Sequence, residues 1–336
     1  MEKDKQKLVD DALRQVEKMF GKGSVMKLGD QTTVDVDAIS TGSMLIDECL
    51  GIGGIPKGRI CEIYGVESAG KSTLCLQLAR ECQRQGGIVA YVDSEHSMNP
   101  EYARDIGVDV DALVFSQPDS GEQALEIVET LTKSGGFDLI VVDSVAALTP
   151  QAELDGEMGD QNIGLLARLM SKAMRKLAGA ANMNGCSIVF VNQLREKIGV
   201  LYGSPEVTTG GRALRFYASV RIEMRKGEPI KDGANIVGNK VKVKIAKNKV
   251  AVPFKSCEID LIYGKGFDSE GELCEVAVSK DVIKKSGSWY SYEDIKIGQG
   301  ADSVKAWLKE NPKMRAEILT KLRPQKVDPE TGEILD

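Results

Sequence analysis

Residues 59–81 read RICEIYGVESAGKSTLCLQLARE, and this stretch decides the fold. It opens with a short apolar run, passes through GVESAGKS at residues 65–72, and continues as a helical pattern from Lys71. The segment GVESAGKS fits G-x-x-x-x-G-K-[ST] between a predicted strand and a predicted helix, the context that a phosphate-binding loop requires. Gly65 and Gly70 let the backbone curl so that successive N–H groups point at phosphate oxygens, beside the positive end of the following helix. The sequence therefore predicts a nucleoside triphosphate site.

Side chains of this loop and of two strand ends complete the predicted site. Lys71 is expected to reach the β- and γ-phosphates of ATP, and Ser72 to ligate Mg2+. Asp143 ends the apolar run FDLIVVD and is expected to hold the same ion through its water shell. Glu95 in VDSEH is the candidate for orienting or deprotonating the attacking water, with Asp93 as a less mobile alternative. The loop residues predicted to bind ATP are Gly65, Val66, Glu67, Ser68, Ala69, Gly70, Lys71, Ser72 and Thr73.

Apolar runs and helical patterns alternate from Ile39 to about Val191. The runs RICEIYG, GIVAYVD, ALVF, FDLIVVD and SIVFVNQ are apolar almost throughout, and helical patterns separate them. Strands of this kind indicate a parallel sheet covered by helices on both faces. Beyond residue 210, ASVRIEMRK and KVKVKIAKNK alternate apolar and polar residues, which predicts antiparallel strands with one solvated face that extend the same sheet. The predicted fold class is α/β.

The two ends of the chain have patterns of their own. Near the N-terminus, an apolar stripe on one face of a predicted helix consists of Val9, Leu13, Val16 and Phe20. Gly21 is the predicted end of this helix. The stripe packs either on the core of its own chain or on a neighbouring subunit. The C-terminal region has an aromatic cluster (Trp289, Tyr290, Tyr292 and Trp307) and two helical stretches, with Pro312 at the start of the second. We expect an N-terminal helix and linker at 1–32, an ATPase and DNA-binding core at 33–265, a small α/β C-terminal domain at 266–326 and an acidic disordered tail at 327–336.

Composition narrows the class of protein. The chain has 336 residues with 42% hydrophobic content, and no window approaches the roughly 18 consecutive apolar residues of a membrane span. Seven cysteines without a C-x-x-C pair are expected to be reduced thiols, so we expect a cytoplasmic protein. The single histidine excludes a site built on several imidazoles. A net charge of −6 requires any DNA site to be a local basic surface, because phosphates repel an acidic one.

One helix supplies such a surface. The helix that ends near Asn182 carries Arg168, Lys172, Arg175 and Lys176 along one side and apolar residues along another. The flanking segments DGEMGDQNIG and LREKIGVLYGSPEVTTGG are long and rich in glycine, and long loops in a compact domain are usually functional. A solvated charged face remains the alternative explanation. Each loop follows a strand that bounds the nucleotide site, so ATP and DNA could influence each other.

Seven motifs together resemble those of the bacterial RecA family. They are GVESAGKST, YVDSEH, LIVVDSVAAL, VNQLREKIGV, TTGGRALRFYASVR, KNKVAVPFK and GSWYSYEDIKIGQG, in this order and spacing. The similarity runs from the N-terminal helix to about residue 322. It implies a RecA-type P-loop ATPase core with a mostly parallel sheet, an N-terminal helix and a small C-terminal domain.

The resemblance also implies residue roles. Glu95 becomes the catalytic carboxylate, Tyr102 stacks on adenine, and Gln193 senses the γ-phosphate. Lys247 and Lys249 reach the ATP of an adjacent subunit, so the implied catalytic set is Lys71, Glu95, Gln193, Lys247 and Lys249. The two loops line a primary DNA site in which Ile163 and Ile198 insert between bases and the remaining members contact the backbone: Arg168, Ser171, Arg175, Arg195, Lys197, Gly210 and Gly211. Lys242 and Lys244 belong to a weaker secondary strand site, or else to an ordinary solvated strand face.

The expected activity follows from these roles. The resemblance implies a DNA-dependent ATPase that forms helical filaments on single-stranded DNA, pairs it with homologous duplex and exchanges strands. It also implies that the filament stimulates self-cleavage of the SOS repressor. Two other classes share parts of the pattern: a ring-forming helicase or motor with the same core fold, and a nucleotide-switched scaffold that binds protein partners. A helicase would form closed rings, and a scaffold would show no stimulation of hydrolysis by single-stranded DNA.

Overall fold

A computed structural model describes residues 2–21, 24–25, 36–157, 159–160, 162, 164–196, 206–322, 326–327 and 334–335. The chain divides into two units, Met1–Val36 and Asp37–Asp336, each considered by itself. In the first, helix α1 (Glu2–Phe20) ends where predicted, and Gly21, with φ of 97°, donates its N–H to the Glu17 carbonyl at 2.8 Å. Val9 and Phe20 of the apolar stripe are exposed.

The second unit contains an α/β core. Its helices in the described residues are α2 (Met44–Leu50), α3 (Lys71–Arg84), α4 (Pro100–Ile106), α5 (Gly121–Ser134), α6 (Gln151–Leu154), α7 (Leu165–Asn184) and α8 (Ala213–Tyr217). Its strands are β1 (Ala38–Ile39), β2 (Ile55–Pro56), β3 (Ile60–Gly65), β4 (Val89–Asp93), β5 (Val114–Ser116), β6 (Leu139–Asp143), β7 (Ser187–Glu196), β8 (Glu206–Thr208), β9 (Val220–Asp232), β10 (Asn235–Asn248), β11 (Ser256–Ile262) and β12 (Gly266–Phe267). From β3 to β7, helices separate each strand from the next one along the chain, as predicted.

A single large sheet organises this core. Within the described residues the strand order is β12-β11-β10-β9-β3-β7-β6-β4-β5, and β8 pairs with β7. The strands from β5 to β9 in this order are parallel, and those from β9 to β12 are antiparallel, so the predicted extension of the sheet is confirmed. The first strand of the extension, β9, is itself parallel to β3, which makes β3 an interior strand.

Apolar layers cover both faces of the sheet. On one face α2, α3 and α4 bury side chains such as Leu74 and Leu78 against Ile63 and Val141. On the other face α5 and α7 bury residues such as Met174 against Phe190. Because both faces are buried, the parallel strands need apolar residues at nearly every position, which is why their sequences lack alternation.

The C-terminal region has a third core of its own. Strands β13 (Lys284–Ser286), β14 (Trp289–Tyr292) and β15 (Ile295–Gln299) form an antiparallel sheet, and the helices are α9 (Ser269–Ser279), α10 (Ala301–Glu310) and α11 (Pro312–Leu322). The last two helices are the predicted stretches, and Pro312 begins α11; α9 is an additional helix. The rings of Tyr292 and Trp307 lie 6.2 Å apart, but Trp289 is 56% exposed and does not join the core.

Two further findings concern the whole described chain. The short strands β16 (Lys326–Val327) and β17 (Ile334–Leu335) pair with each other, and all of their residues except Lys326 belong to the segment predicted as an acidic disordered tail. Residues 328–333 and 336 lie outside the described ones. Among the described helices, none is long and apolar enough to cross a membrane.

Candidate nucleotide and DNA sites

The phosphate loop joins β3 to α3 at an edge where the parallel strands end. Gly65 has no room for a side chain, because a Cβ there would lie 2.0 Å from the Met224 carbonyl oxygen of neighbouring β9. Gly70 precedes α3 with φ of 84°, a left-handed conformation that favours glycine. The two glycines of the motif are thus required for different reasons, one for close strand packing and one for backbone conformation.

Lys71 begins α3 and its ammonium folds back over the loop. Its Nζ donates a hydrogen bond to the Val66 carbonyl at 2.7 Å. Burial lowers the pKa of Lys71, while the nearby carboxylates of Asp143 and Glu95 act in the opposite direction. The ammonium is therefore held among the groups predicted to surround the phosphates.

Ser72 and Asp143 form the oxygen pair predicted to hold magnesium. Ser72 Oγ and Tyr91 Oη each donate to Asp143 Oδ2 at 2.7 Å. Burial raises the pKa of Asp143, and these two hydrogen bonds oppose the change. Mg2+ takes oxygen ligands and is commonly bound by one or two carboxylates together with substrate phosphates. The pair fits that ion, and a cation here would offset the burial of the carboxylate.

Glu95 follows β4 and is exposed, and its carboxylate contacts two polar side chains. Gln193 Nε2 donates to Glu95 Oε1 at 2.8 Å, and Ser144 Oγ donates to the same oxygen. The alternative candidate Asp93 is buried, and its Oδ2 accepts from Met98 N at 3.0 Å and from Gln117 Nε2 at 3.1 Å. Glu95 is therefore the carboxylate that is free to approach a water molecule.

Tyr102 lies beside the first turn of α3. Its hydroxyl lies 2.8 Å from Thr73 Oγ1, and the ring is half-buried. Asn99 accepts hydrogen bonds from the backbone N–H groups of Glu101 and Tyr102 and so caps α4, the helix that carries the tyrosine. The cap fixes Tyr102 next to the loop where a base attached to bound phosphates would lie.

A buried polar network, which the sequence patterns did not predict, lies between β3, β7 and β9. Glu62, fully buried on β3, forms an ion pair with Arg221 and accepts from Asn192 Nδ2 at 2.9 Å. Arg221 also stacks over the Tyr64 ring, 4.3 Å from its centroid. Asn192 in turn contacts Thr209 through both its amide atoms. The available sequence signal was a charged and an amide residue inside the apolar runs RICEIYG and SIVFVNQ.

The basic side of α7 divides into two parts. Arg168 and Arg175 are exposed, and Ser171 between them donates to the Ala167 carbonyl at 2.7 Å. Lys176 instead pairs with Glu129 of α5 at 2.8 Å, and Lys172 lines a small cavity beside the same glutamate. All four basic residues are exposed, and α5 engages one edge of this side through Glu129.

The first predicted DNA loop is described except at positions 158, 161 and 163, and the second is described only at its ends. Ile163, Lys197 and Ile198 lie outside the described residues. Arg195 is exposed at the end of β7, where its guanidinium approaches Gln193 Oε1 at 3.4 Å.

Gly210 and Gly211 close the second loop against α7. Both have φ near 80°, and a Cβ on Gly211 would lie 2.8 Å from the Ala167 Cβ. A Cβ on Gly210 would lie 2.8 Å from Val145 Cγ1. The glycine pair therefore holds the end of the second loop in contact with the helix that carries Arg168 and Arg175.

Four lysines with predicted roles lie on or beside the antiparallel extension of the sheet. Lys242 and Lys244 are exposed on β10, and the strand alternation places both on its solvated face. Lys247 Nζ donates to the carbonyls of Arg215 and Phe216, each at 2.8 Å, and Lys249 Nζ donates to Phe216 at 3.3 Å. Burial and the neighbouring charge of Lys249 lower the pKa of Lys247 to about 8.

These features define a class. A phosphate loop that opens a helix, an oxygen pair for magnesium, and a carboxylate at the end of the next strand together form a P-loop nucleoside triphosphatase on a mostly parallel sheet.

Comparisons with known proteins give the family. The RecA N-terminal domain model matches residues 7–268, and the RecA C-terminal domain model matches residues 271–326. The chain is 54% identical to Protein RecA of Cutibacterium acnes over 341 residues, covering 98% of both chains. It is 57% identical to Protein RecA of Ruminococcus albus over 320 residues, covering 95% of this chain and 80% of the relative. The same name belongs to a relative in Clostridium acetobutylicum, 54% identical over 323 residues, with 96% of this chain and 93% of the relative covered.

The chain belongs to the RecA family. It is a DNA-dependent ATPase of homologous recombination that uses ATP with Mg2+, binds single-stranded and duplex DNA and forms helical filaments. Family membership decides against the ring-forming motor and the protein-binding scaffold.

Proposed function

We propose that this chain hydrolyses ATP at sites shared between neighbouring subunits of the filament. We also propose that the nucleotide bound at each site controls how tightly the filament binds DNA. The observation that carries the proposal is the position of Lys247 and Lys249. They lie beside the beginning of β3, whereas the phosphate loop of the same chain follows the end of that strand. ATP binding stabilises the extended filament that binds DNA, and hydrolysis releases it, which is a population shift between two assembly states.

Within one subunit, the described residues divide the work of hydrolysis. Lys71 neutralises the β- and γ-phosphates, and Tyr102 stacks on the adenine. Ser72 and Asp143 would hold Mg2+, which supplies charge neutralisation at the transferred phosphoryl group. Glu95 orients and deprotonates the attacking water, and its contact with Gln193, at 2.8 Å, lets the γ-phosphate influence β7.

The distance along β3 supports a role in trans for the two lysines. Lys249 N donates to the Ser219 carbonyl, and Ser219 N donates to the Ile60 carbonyl, so Lys249 is level with the beginning of β3. Gly65 ends the same strand five residues later. At about 3.3 Å per residue the two levels are roughly 16 Å apart, and both ammonium groups are anchored to α8 carbonyls. A neighbouring subunit's γ-phosphate is the better partner, as for an arginine finger supplied in trans.

The exposed part of α7 and the ends of the two loops form the proposed primary DNA site. Its described members are Arg168, Ser171, Arg175, Arg195, Gly210 and Gly211, and we include Ile163, Lys197 and Ile198 by resemblance alone. Contacts to phosphates do not report base identity, so binding is largely independent of sequence. Lys242 and Lys244 on the solvated face of β10 form the secondary strand site.

The buried network offers a route between the DNA and nucleotide sites. Thr209, at the end of the second loop, donates through Oγ1 to Asn192 Oδ1 at 2.5 Å. The next residue along β7 is Gln193, whose N–H donates to the same Oδ1 at 2.9 Å. A shift of the loop end therefore reaches Gln193 and Glu95 through one amide side chain.

Finer points of the proposal rest on the family resemblance. The filament stimulates self-cleavage of the SOS repressor, and α1 contributes to subunit assembly. We keep the proposed boundaries at 1–32, 33–265, 266–326 and 327–336. Seven free cysteines favour a cytoplasmic location, because reducing compartments keep thiols reduced.

Complementation between two inactive variants tests the shared site. Lys249→Ala removes the ammonium group in trans, and Lys71→Ala removes the one in the phosphate loop. When the two variants are mixed in equal amounts on single-stranded DNA, about one quarter of the head-to-tail junctions should place an intact phosphate loop opposite an intact lysine segment (residues 247–249). We expect hydrolysis to recover toward that fraction of the wild-type rate.

Three controls accompany the mixture. Labelled subunits must show that the two variants assemble into the same filaments. The Lys255→Ala variant should retain activity, because Lys255 is an exposed lysine close in sequence to Lys249 that has no proposed role in hydrolysis. Circular dichroism checks that Lys249→Ala is folded. A co-assembled mixture that is no more active than its separate components would reject the shared site.

A further inference from the structure

Cys49 and Cys257 form a thiol pair outside the nucleotide and DNA sites. Cys49 lies in the last turn of α2, Cys257 lies on β11, and both residues line one surface cavity. Of the seven cysteines, all of which the structure describes, Cys257 alone is partly exposed and the others are buried. Cys257 is thus accessible, and Cys49 lines the same cavity.

A surface cavity gives solutes access to the pair. It has a volume of about 610 Å³, and its lining includes both sulfur-bearing residues together with Lys255, Phe254 and Glu275. A cavity of this size admits small oxidants far larger than water. Lys255 in its wall favours a thiolate, and the carboxylates of Glu48, Glu258 and Glu275 in the same wall act against it.

The electrostatics of the pair distinguish it from the remaining cysteines. Interaction with the Cys257 thiol lowers the pKa of the Cys49 thiol, and the Lys255 charge acts in the same direction, against the effects of burial and of the Glu48 carboxylate. Interaction with Cys49, followed by burial, raises the pKa of Cys257. Burial raises the pKa of Cys61 and of Cys186 to about 12 and that of Cys82 to about 11. Burial also raises the pKa of Cys75 and of Cys274.

We propose that Cys49 and Cys257 are a modification site for hydroperoxides, at which the two thiols are oxidised to an intramolecular disulfide. The Cys49 thiolate attacks the O–O bond and takes one oxygen as a sulfenic acid, and the leaving hydroxide or alkoxide takes a proton from solvent. The Cys257 thiol then attacks the sulfenic sulfur, forming the S–S bond and releasing water. Two electrons pass from the thiols to the peroxide, and a dithiol reductant reverses the reaction.

The pair lies at the base of the lysine segment. Leu50 follows Cys49, and its carbonyl accepts a hydrogen bond from Asn248 Nδ2 at 3.0 Å. Asn248 stands between Lys247 and Lys249, and its Oδ1 caps the turn through two backbone N–H groups, each at 3.0 Å. A disulfide would fix the end of α2 to β11 and limit the adjustment of both lysines. This regulatory step rests on the proposed role of those lysines in trans.

Peptide mapping of the full-length protein tests the site itself. After treatment with hydrogen peroxide, non-reducing mass spectrometry should find a Cys49–Cys257 linked peptide that disappears on reduction. Cys49→Ser and Cys257→Ser should each abolish it, and Cys274→Ser, which alters a buried thiol of the C-terminal core, should keep it. A different linked pair, or stable over-oxidation of Cys49 with Cys257 unmodified, would overturn the proposal.

Hydrolysis by the oxidised protein tests the regulatory step. On single-stranded DNA, oxidised wild type should hydrolyse ATP more slowly than oxidised Cys257→Ser by about fivefold or more, the lower range of typical couplings between sites. Reduction should restore the rate. Equal rates with complete disulfide formation would overturn the regulatory step. The peptide map does not involve ATP, so a failure of the dithiol is distinguishable from a failure of the shared-site proposal.

Discussion

Gln193 Nε2 donates a hydrogen bond to Glu95 Oε1 across 2.8 Å and thereby joins the ends of β7 and β4. Beyond Gln193 the chain enters the second DNA loop. The proposed catalytic carboxylate therefore contacts a residue only a few positions from the proposed DNA contacts. This short path is the physical basis for expecting DNA to stimulate hydrolysis.

Replacing Glu95 separates binding from hydrolysis. Glu95→Gln keeps the side-chain volume and can still accept from Ser144, but it loses the base. We expect hydrolysis to fall on the order of 10²-fold or more, while filaments still form with ATP. Steady-state hydrolysis and negative-stain imaging measure the two properties. Wild-type turnover by this variant would transfer the role to another group, with Asp93 as the first to be tested.

Thr209→Val tests the path from the second loop to the nucleotide. The change keeps the volume but removes the hydroxyl that donates to Asn192, so DNA should stimulate hydrolysis less while hydrolysis without DNA is unchanged. The loss of one hydrogen bond should lower the free energy of unfolding by about 1 kcal/mol. Thr208→Val is the matched control, because Thr208 pairs with Leu194 and makes no described contact with Asn192. Equal stimulation in both variants would show that the amide does not transmit the signal.

Arg175→Ala should weaken binding to all single-stranded sequences alike. If Arg175 contacts a phosphate, the slope of log affinity against log salt should decrease by roughly 0.7. Lys176→Ala is the control on the same helix, because its ammonium is engaged by Glu129. Fluorescence anisotropy across a salt series gives both slopes. A slope unchanged by Arg175→Ala would mean that the exposed arginine is merely solvated.

Lys247 should make nucleotide use sensitive to mildly alkaline pH. Its pKa is lowered from 10.5 to about 8, so the ammonium is present below that pH and is lost as the pH rises through it. The value of kcat/KM for ATP should therefore fall above about pH 8. Lys247→Arg remains charged and should retain its activity to higher pH. Identical pH profiles for the two proteins would remove Lys247 from the reaction.

Glu272 should weaken the fold as the pH rises. It is buried at the start of α9, its Oε2 accepts from Ser43 Oγ at 2.7 Å, and burial raises its pKa from 4.5 to about 7. A carboxyl group with a raised folded-state pKa contributes stability that is full below about pH 4.5 and lost as the pH rises to about 7. The loss is on the order of 3–4 kcal/mol, since one pKa unit corresponds to about 1.4 kcal/mol.

Thermal unfolding at pH 5 and pH 8 measures this effect. Glu272→Gln keeps an acceptor for Ser43 but does not ionise, so its Tm should fall less between the two pH values than that of wild type. Glu275→Gln, an exposed neighbour on the same helix, should behave like wild type. Equal falls in Tm for all three proteins would contradict the assignment.

The nucleotide site was predictable because its signals are local. The loop from Gly65 to Ser72 is contiguous, and Asp143 and Glu95 each end or follow an apolar run, so strand-end geometry brings them together. The parallel sheet was also predictable, because strands buried on both faces lose the alternation that a half-buried strand keeps.

Contacts between distant segments were not predictable in the same way. Glu62 and Arg221 are 159 positions apart, and nothing in either local pattern identifies the partner. The division of the basic side of α7 depends on Glu129 of α5, which a single-helix pattern does not contain. Helix α9 was missed because its buried residues, Glu272 among them, do not leave a clear polar face.

The position of β3 between β7 and β9 has a consequence for engineering the protein. Two interstrand spacings, about 10 Å in all, separate β7, which leads to the second DNA loop, from β9, which lies beside the lysine segment. Substitutions at Asn192, Glu62 and Arg221 share hydrogen-bonding atoms across these steps, so their effects should not add in combination. Anyone who recombines segments from related sequences should therefore transfer these three strands together, since a hybrid that divides them mixes halves of one interaction.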